Sequence, residues 1–336
     1  MSFLEPPSAF ARWAGVDSRL AYEGADRRDP VLSICIPTFR RPDFLAESVA
    51  SALAQDWNGA IEILVIDNDP ESQGVERLLA DLPELATANF RYYVNGENIG
   101  QAGNWNRSIE LGRGAWHTML HDDDLLLPQF AGTMMAALAA NPDMDGIICR
   151  KRLFGPNGYE QTSRKRELAK RAFLEARFRG AETRRYRPAR FFWASGNPVG
   201  LVARKADLIA LGGYQPEEYP IFDHHLQLRF SVRYRFHESR HILASIRLFE
   251  NEWMRPDVVR SVITRFHSLR MNMAGTVVPR WWGRLSPALM ENHRRLSNAD
   301  SGCEVSKAEL EQETGVRLPN VKPAVLKALR LSLGGF

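Results

Sequence analysis

Thr118-Met-Leu-His-Asp-Asp-Asp-Leu-Leu-Leu-Pro128 decides how this chain is read. Apolar residues climb to Leu120, three carboxylates follow at Asp122, Asp123 and Asp124, and apolar residues resume at Leu125. Pro128 suits the first turn of a helix, where its missing N–H costs nothing. A strand that ends abruptly in adjacent carboxylates, with a helix behind it, offers the oxygen ligands a divalent cation prefers. Taken alone, an acidic triplet is most often a solvated turn or a helix N-cap. The flanking chain separates these readings.

Toward the N-terminus, residues 31–37 (VLSICIP) are apolar and β-branched without alternation, as in a strand buried in a parallel sheet. Pro42 then opens a helix whose core face is Leu45, Val49 and Leu53. A second strand, residues 61–66, stops at Asp67-Asn-Asp-Pro70, residues 71–82 are helical in pattern, and 90–94 form a third strand. The loop Asn95-Gly-Glu-Asn-Ile-Gly100 leads into a helix through Trp105 and Ile109 that ends near Gly112 and Gly114. Residues 115–120 are the fourth strand, 130–140 a helix and 146–149 a fifth strand. This alternation predicts a doubly wound, mostly parallel α/β sheet. Such sheets bind ligands beyond the carboxyl ends of their strands. Thr38-Phe-Arg40, Asp67-Asn-Asp69 and Asp122-Asp-Asp124 all fall at such ends. No G-x-G-x-x-G follows the first strand and no G-x-x-x-x-G-K-[ST] occurs, which argues against the usual dinucleotide and P-loop sites.

Composition bounds the remaining choices. The 336 residues suit two domains or one elaborated α/β domain, and 44% hydrophobic residues supply an ample core. A net charge of +4 selects no partner by itself. Three scattered cysteines, Cys35, Cys149 and Cys303, suggest neither a disulfide framework nor a cysteine-rich metal site, and fit a reducing cytoplasm. The N-terminus lacks the basic and apolar regions of a secretory signal, and no apolar run reaches the roughly 18 residues needed to span a bilayer, so a soluble or peripheral protein is expected. Residues 150–190 carry 14 Lys/Arg against 4 Asp/Glu, a solvated face or an attraction to anionic acceptor or lipid. Residues 325–333 (VLKALRLSL) are amphipathic and basic, for packing on the body or docking at an interface. Strands are expected at 199–203 and 239–248, and a short helix around Leu208.

In order and spacing these residues resemble the family 2 glycosyltransferases of the GT-A fold. Four segments carry the resemblance over roughly residues 31–250: Ile36-Pro-Thr-Phe-Arg-Arg41; Val65-Ile-Asp-Asn68; Asn98-Ile-Gly100 through Asn106 and Gly112-Arg-Gly114 into Leu120-His-Asp-Asp-Asp-Leu125; and Leu211-Gly-Gly-Tyr214 followed by Phe222-Asp223. Residues 1–30, mixed and Pro-containing, read as an extension or lid with little regular structure, and 251–336 as a mostly helical C-terminal extension with a possible membrane-surface contact; the resemblance implies a nucleotide-sugar-binding half (31–150) and an acceptor-binding half with the catalytic base (151–250). It implies inverting, metal-dependent transfer of a sugar from a UDP-, GDP- or dTDP-linked donor to a saccharide or lipid-linked acceptor, in bacterial surface polysaccharide synthesis, with no nucleic acid partner. The cofactor would be Mn²⁺ or Mg²⁺, and the setting cytoplasmic or peripheral on the inner membrane face.

Residue by residue, Pro37, Thr38 and Arg40 would lie along the nucleotide, Asp67 would face the base, and Asn98 and Asn106 would complete the donor site. Asp122 would hold ribose or a metal-bound water, and Asp123 the metal, with Asp124 beside it as a ligand, an orienting group or a helix cap. Asp223 would be the catalytic base. A carboxylate in hydrogen-bond reach of an acceptor hydroxyl suits single-displacement inversion, and no covalent nucleophile is needed. Trp193 is placed to stack on an acceptor sugar or to pack in the core, and Asn197 lies beside it. His224 and His225 read as packing or surface groups. Two departures stand out: His121 occupies a position where the family often has Asp, and no Arg-x-His follows the last strand, which leaves Arg247 as the diphosphate contact. A nucleotidyltransferase-like enzyme and a non-catalytic nucleotide-sugar- or nucleic-acid-binding module are the competing readings.

Overall fold

The structure is a computed structural model that describes residues 3–155, 158–159, 177–193, 197–247, 255–300, 304–320, 322 and 325. Residues 156–157 and 160–176 of the basic stretch, and residues 326–333 of the amphipathic segment, lie outside the described residues. The strands are β1 Ser18–Glu23, β2 Leu32–Thr38, β3 Ile61–Asp67, β4 Phe90–Asn95, β5 Trp116–Met119, β6 Leu125–Leu126, β7 Gly146–Gly155, β8 Gly158–Tyr159, β9 Thr183–Arg185, β10 Leu201–Arg204 and β11 Phe236–Arg247. The helices are α1 Pro42–Leu53, α2 Gly74–Asp81, α3 Gly100–Leu111, α4 Phe130–Ala140, α5 Lys205–Ala210, α6 Phe222–Arg233, α7 Pro256–Met273, α8 Ser286–Asp300 and α9 Lys307–Thr314.

The chain separates into two compact units. The first is Met1–Tyr186, Asn197–Pro216 and Arg229–Arg247; the second is Arg187–Gly196, Glu217–Leu228 and Leu248–Phe336. These units are discontinuous in sequence, unlike the linear blocks implied by the resemblance.

The first unit is built on one sheet of order β1-β4-β3-β2-β5-β10-β7-β11-β6. The expected parallel core is present: β4, β3, β2 and β5 run parallel. β10 then joins antiparallel to both β5 and β7, so the sheet is mixed beyond that point. Side chains of β2 alternate between two hydrophobic faces. Leu32, Ile34 and Ile36 join Leu45 and Val49 of α1 and Phe130 and Met134 of α4, while Cys35 on the opposite face packs with Leu64 and Ile66. The expected strands and helices recur within a few residues, α4 over the same span.

Two expectations are corrected. The first thirty residues are not an irregular extension: Ser18–Glu23 pairs antiparallel with β4 as an edge strand, and a 3-10 turn precedes it at Phe10–Trp13. Edge strands are buried on fewer sides and tolerate the mixed composition of SRLAYE. Pro128 does not open a helix directly after the carboxylates. Leu125–Leu126 first pairs with Ala244 and Ser245 of β11, and α4 starts at Phe130.

A buried charge cluster anchors the loop that feeds β5. Glu62 is fully buried and accepts hydrogen bonds from Ser33 Oγ (2.6 Å), the Arg113 amide (2.8 Å), Arg91 Nε (2.7 Å) and Arg113 Nε (3.0 Å). Removing one member of such a cluster strands the others in low dielectric. Glu62→Ala is expected to destabilise the protein by about 3–5 kcal/mol, read as a lowered denaturation midpoint, whereas a surface change such as Glu71→Ala is expected to shift it little.

Candidate active site at the carboxyl edge

The carboxylate turn sits on a prepared polar bed. Leu120 N donates to Cys35 O at 2.9 Å, which carries the sheet register up to the turn. Ser48 and Ser51 of α1, which share a helix face three positions apart, and Gln55 just past its C-terminal end grip the segment beyond the turn. Ser48 Oγ donates to Asp124 O (2.8 Å), Leu126 N donates to Ser51 Oγ (3.2 Å), and Gln55 joins Leu127 O (3.1 Å) and Ala131 N (2.9 Å). Arg247, at the end of β11, donates from Nε to Asp123 O (2.9 Å) and from its amide to Asp124 Oδ1 (2.8 Å). Its guanidinium lies 4.7 Å from the ring centres of both Phe44 and Phe154 and pairs with Glu47. Arg247 is therefore committed to holding the acidic turn.

Each carboxylate has a different surrounding. Asp122 accepts from Thr38 Oγ1 at 2.8 Å, so the ends of β2 and β5 are tied together. Burial pushes its pKa up to about 6; Asp123 raises it further, while the Thr38 hydrogen bond, Arg41 and His121 pull it down. Asp123 is 7% exposed and receives Arg41 Nη1 at 2.8 Å, and the same nitrogen lies 3.5 Å from Asp122. Asp124 is 2% exposed and faces His121 Nδ1 at 3.3 Å as well as Arg247. It caps no helix.

His121 stacks on Trp105, ring centres 5.0 Å apart, and its Nε2 is buried without a hydrogen-bond partner among the described residues. Burial alone lowers the imidazole pKa, yet the hydrogen bond to Asp124 and the charges of Asp124, Asp123 and Asp122 together raise it. His121, Asp123 and Asp124 each present a ligand atom within 4.8 Å of the others. A carboxylate-rich set with one imidazole suits a divalent ion such as Mn²⁺.

The second strand end is a network of amides. Asn68 N donates to Thr38 O (3.0 Å), and Asn104 Nδ2 reaches both Thr38 O (3.3 Å) and Ile66 O (3.1 Å). Asn95 Nδ2 donates to Asn68 Oδ1 and Asn104 Oδ1, each at 3.0 Å, and Asn68 Nδ2 donates to Asn98 Oδ1 at 2.8 Å. Asp67 accepts from Tyr92 OH (2.6 Å) and the Asp69 amide (3.1 Å).

Other expected residues fall elsewhere. Pro37 lies inside β2 opposite Ile66. Arg40 has a left-handed backbone (φ 56°) that turns its side chain outward to Asp69 at 2.7 Å, and the neighbouring Arg41 turns in. Asn106 is not open to a ligand. It is 1% exposed, with Oδ1 and Nδ2 both bonded to the Tyr214 backbone at 2.8 Å. Gly213 makes this possible: its φ is +70°, and a Cβ there would lie 2.3 Å from Asn106 Oδ1. Asn197 closes a turn onto the Val199 amide (2.9 Å), and its carbonyl accepts from Lys151 Nζ (2.7 Å).

Asp223 and Trp193 belong to the second unit. Asp223 is buried in the first turn of α6. Trp193 is 8% exposed and packs edge-on against Phe192 and Trp282. His224 has the expected packing role: its Nε2 lies 3.1 Å from Phe191 O, and burial pushes its pKa down to about 3. Sequence reading missed Arg41, Ser48, Asn68, Asn95 and Asn104.

The carboxyl edge of this sheet gathers acids, amides and arginines, at the place where open α/β sheets bind their ligands. Residues 33–197 match the profile of Glycosyl transferase family 2, and the chain belongs to that family as a GT-A glycosyltransferase. The nucleotidyltransferase and non-catalytic readings give way to this. The GalNAc(5)-diNAcBac-PP-undecaprenol beta-1,3-glucosyltransferase of Campylobacter jejuni is 30% identical over 161 residues, 45% of this chain and 50% of that protein. The chain spans about half the length of the curated relatives it matches first. In fold it is similar to S. aureus TarS 1-349 in complex with UDP-GlcNAc (TM-score 0.55, 14% identity, 84% of this chain and 78% of that one). It is also similar to the mannosyltransferase PcManGT from Pyrobaculum calidifontis in complex with GDP-Man and Mn²⁺ (TM-score 0.53, 16% identity, 98% and 85%).

Arg41 and a divalent ion would compete for the same oxygens of Asp123. Arg41→Ala is expected to bind Mn²⁺ about fivefold more tightly than wild type in isothermal titration calorimetry without nucleotide. Weaker binding would mean that Arg41 organises the carboxylates instead. Protonation of Asp122 removes a negative charge beside Asp123, so Mn²⁺ affinity is expected to fall as pH drops through 6, by at most about tenfold per unit. Unchanged affinity at acid pH contradicts this.

Proposed function

We propose that this chain transfers a sugar, with inversion, from a nucleoside diphosphate to an acceptor hydroxyl, assisted by a divalent cation. The observation that carries the reading is the meeting of Thr38, Asp122, Asp123, Asp124 and His121 where β2 and β5 end. Asp123, with His121 or Asp124, is the proposed holder of Mn²⁺ or Mg²⁺. A bound divalent ion supplies neutralisation of the charge that grows on the leaving nucleoside diphosphate.

The remaining roles belong to the chain's own groups. Asp67 is positioned by Tyr92 and the Asp69 amide for a hydrogen-bonding base edge, and Asn98 is oriented by Asn68. Asp122, fixed by Thr38, is the proposed ribose contact, and Arg40 reaches the nucleotide from the exposed rim. Arg41, once released from Asp123, is the nearer arginine for the diphosphate. Asp223 is the proposed base that takes the acceptor proton, a role typically contributing about 10²–10⁴-fold.

Solved relatives in fold hold UDP-GlcNAc in one case and GDP-Man in another, so the fold accommodates both pyrimidine and purine donors. The name of the Campylobacter relative supports a polyprenyl-diphosphate-linked saccharide as acceptor, and thereby a step in surface glycan synthesis. Buried free thiols at Cys35 and Cys149 accord with a cytoplasmic setting.

Thermal shifts with UDP, GDP and dTDP, each with and without Mn²⁺, test the donor class. One nucleotide is expected to stabilise the protein in a Mn²⁺-dependent way; no response to any of them overturns the reading. Asp223→Asn is expected to keep that shift while transfer falls by at least about a hundredfold. Persistence of transfer would remove Asp223 as the base.

A further inference from the structure

From Val258 to Met290 the chain has five arginines and no aspartate or glutamate. All of it lies in the second unit. α7 buries Val262, Ile263, Phe266 and Leu269, and leaves Arg265, Ser268, Met271 and Asn272 exposed on one face. The turn that follows exposes Pro279, Arg280, Trp281 and Arg284. These two segments adjoin: a Cβ on Gly283 would lie 3.5 Å from Met271 Cε. Trp281 is 50% exposed and Met271 48%. Trp281 is backed edge-on by Trp282, which is itself buried against Phe192 and Trp193, so the exposed indole stands on a rigid base.

The arginines divide by partner. Arg270 is buried and donates to Phe192 O at 2.9 Å, and Arg260 faces Glu309 and Glu313 at 3.8 and 3.7 Å. Arg265, Arg280 and Arg284 have no carboxylate partner among the described residues. Half-exposed tryptophan is favourable at the headgroup level of a bilayer, and guanidinium groups beside it are favourable on lipid phosphates. A second copy of the same surface would bring like charges together, which opposes self-association. A nucleic acid would use the cations but gain little from Met271 and Pro279.

We propose that this face docks on an anionic lipid surface, with Trp281 and Met271 at the acyl boundary and Arg265, Arg280 and Arg284 on headgroup phosphates. It goes beyond the proposed transfer reaction and depends on neither the donor nor the cation.

Co-sedimentation of the full chain with vesicles tests it, comparing phosphatidylcholine alone with phosphatidylcholine containing about 30% phosphatidylglycerol. Binding is expected on the anionic vesicles and expected to weaken with salt. Arg280→Glu with Arg284→Glu is expected to lower it at least about tenfold, and Trp281→Ser or Met271→Ser about threefold to fivefold. Arg19→Glu with Arg27→Glu changes net charge equally in the first unit and is expected to keep binding. Thermal melting of each variant establishes that it is folded. Absence of anionic-vesicle binding, equal loss in the Arg19/Arg27 variant, or self-association abolished by Trp281→Ser would each overturn the proposal. So would preference for an oligonucleotide that displaces the vesicles.

Discussion

The acidic turn depends on being held from three directions, through one carboxylate and two peptide oxygens. Asp122 is tied to β2 through Thr38, Asp124 O is held by Ser48 of α1, and Asp123 O is held by Arg247 of β11. Three adjacent aspartates repel one another and would otherwise favour a solvated loop. Fixing their backbone lets the carboxylates face one small space. The same bonds explain why α1 carries serines at 48 and 51 on a face that could have been apolar. That face is the floor of the site and not part of the hydrophobic core.

Behind the turn, asparagines do comparable work. An amide carries both a donor and an acceptor, so Asn68, Asn95 and Asn104 can satisfy backbone groups and each other at once. The result is a continuous hydrogen-bond path from Asp122 through Thr38 to Asn98. Networks that are fully satisfied in this way specify one arrangement of their members. Two strand ends are thus coupled through hydrogen bonds, and not only through the sheet.

Much of the fold was legible because a parallel sheet imposes continuous apolar runs. VLSICIP and IEILVI admit few other readings, and the carboxyl-edge rule located Thr38, Asp67 and Asp122–124 together. What escaped has physical causes. β1 is a partly exposed edge strand, so its sequence carries no burial pattern. Asn106 matches the expected spacing, but spacing does not say that its amide is consumed by Tyr214. Asn68, Asn95 and Asn104 are scattered along the chain and converge only when the strands are aligned. The spacing of Ser48 and Ser51 was a readable signal, since polar groups on the inner face of a helix require partners. Arg40 and Arg41 could not be told apart in sequence; the left-handed backbone at Arg40 decides which of them turns toward the acids.

The counter-charges around the triplet are not equivalent, and that difference singles out one carboxylate. Asp124 is held by a backbone amide and an imidazole, and Asp122 by a hydroxyl on a neighbouring strand. Neither partner can leave without disturbing the sheet. Asp123 instead meets Arg41, a side chain 30% exposed and long enough to swing away. A buried carboxylate needs a positive partner, but nothing requires that partner to be the protein's own. Asp123 is accordingly the carboxylate at which the proposed cation would replace a protein cation while the bonds from Thr38, Ser48 and Arg247 that shape the turn stay in place.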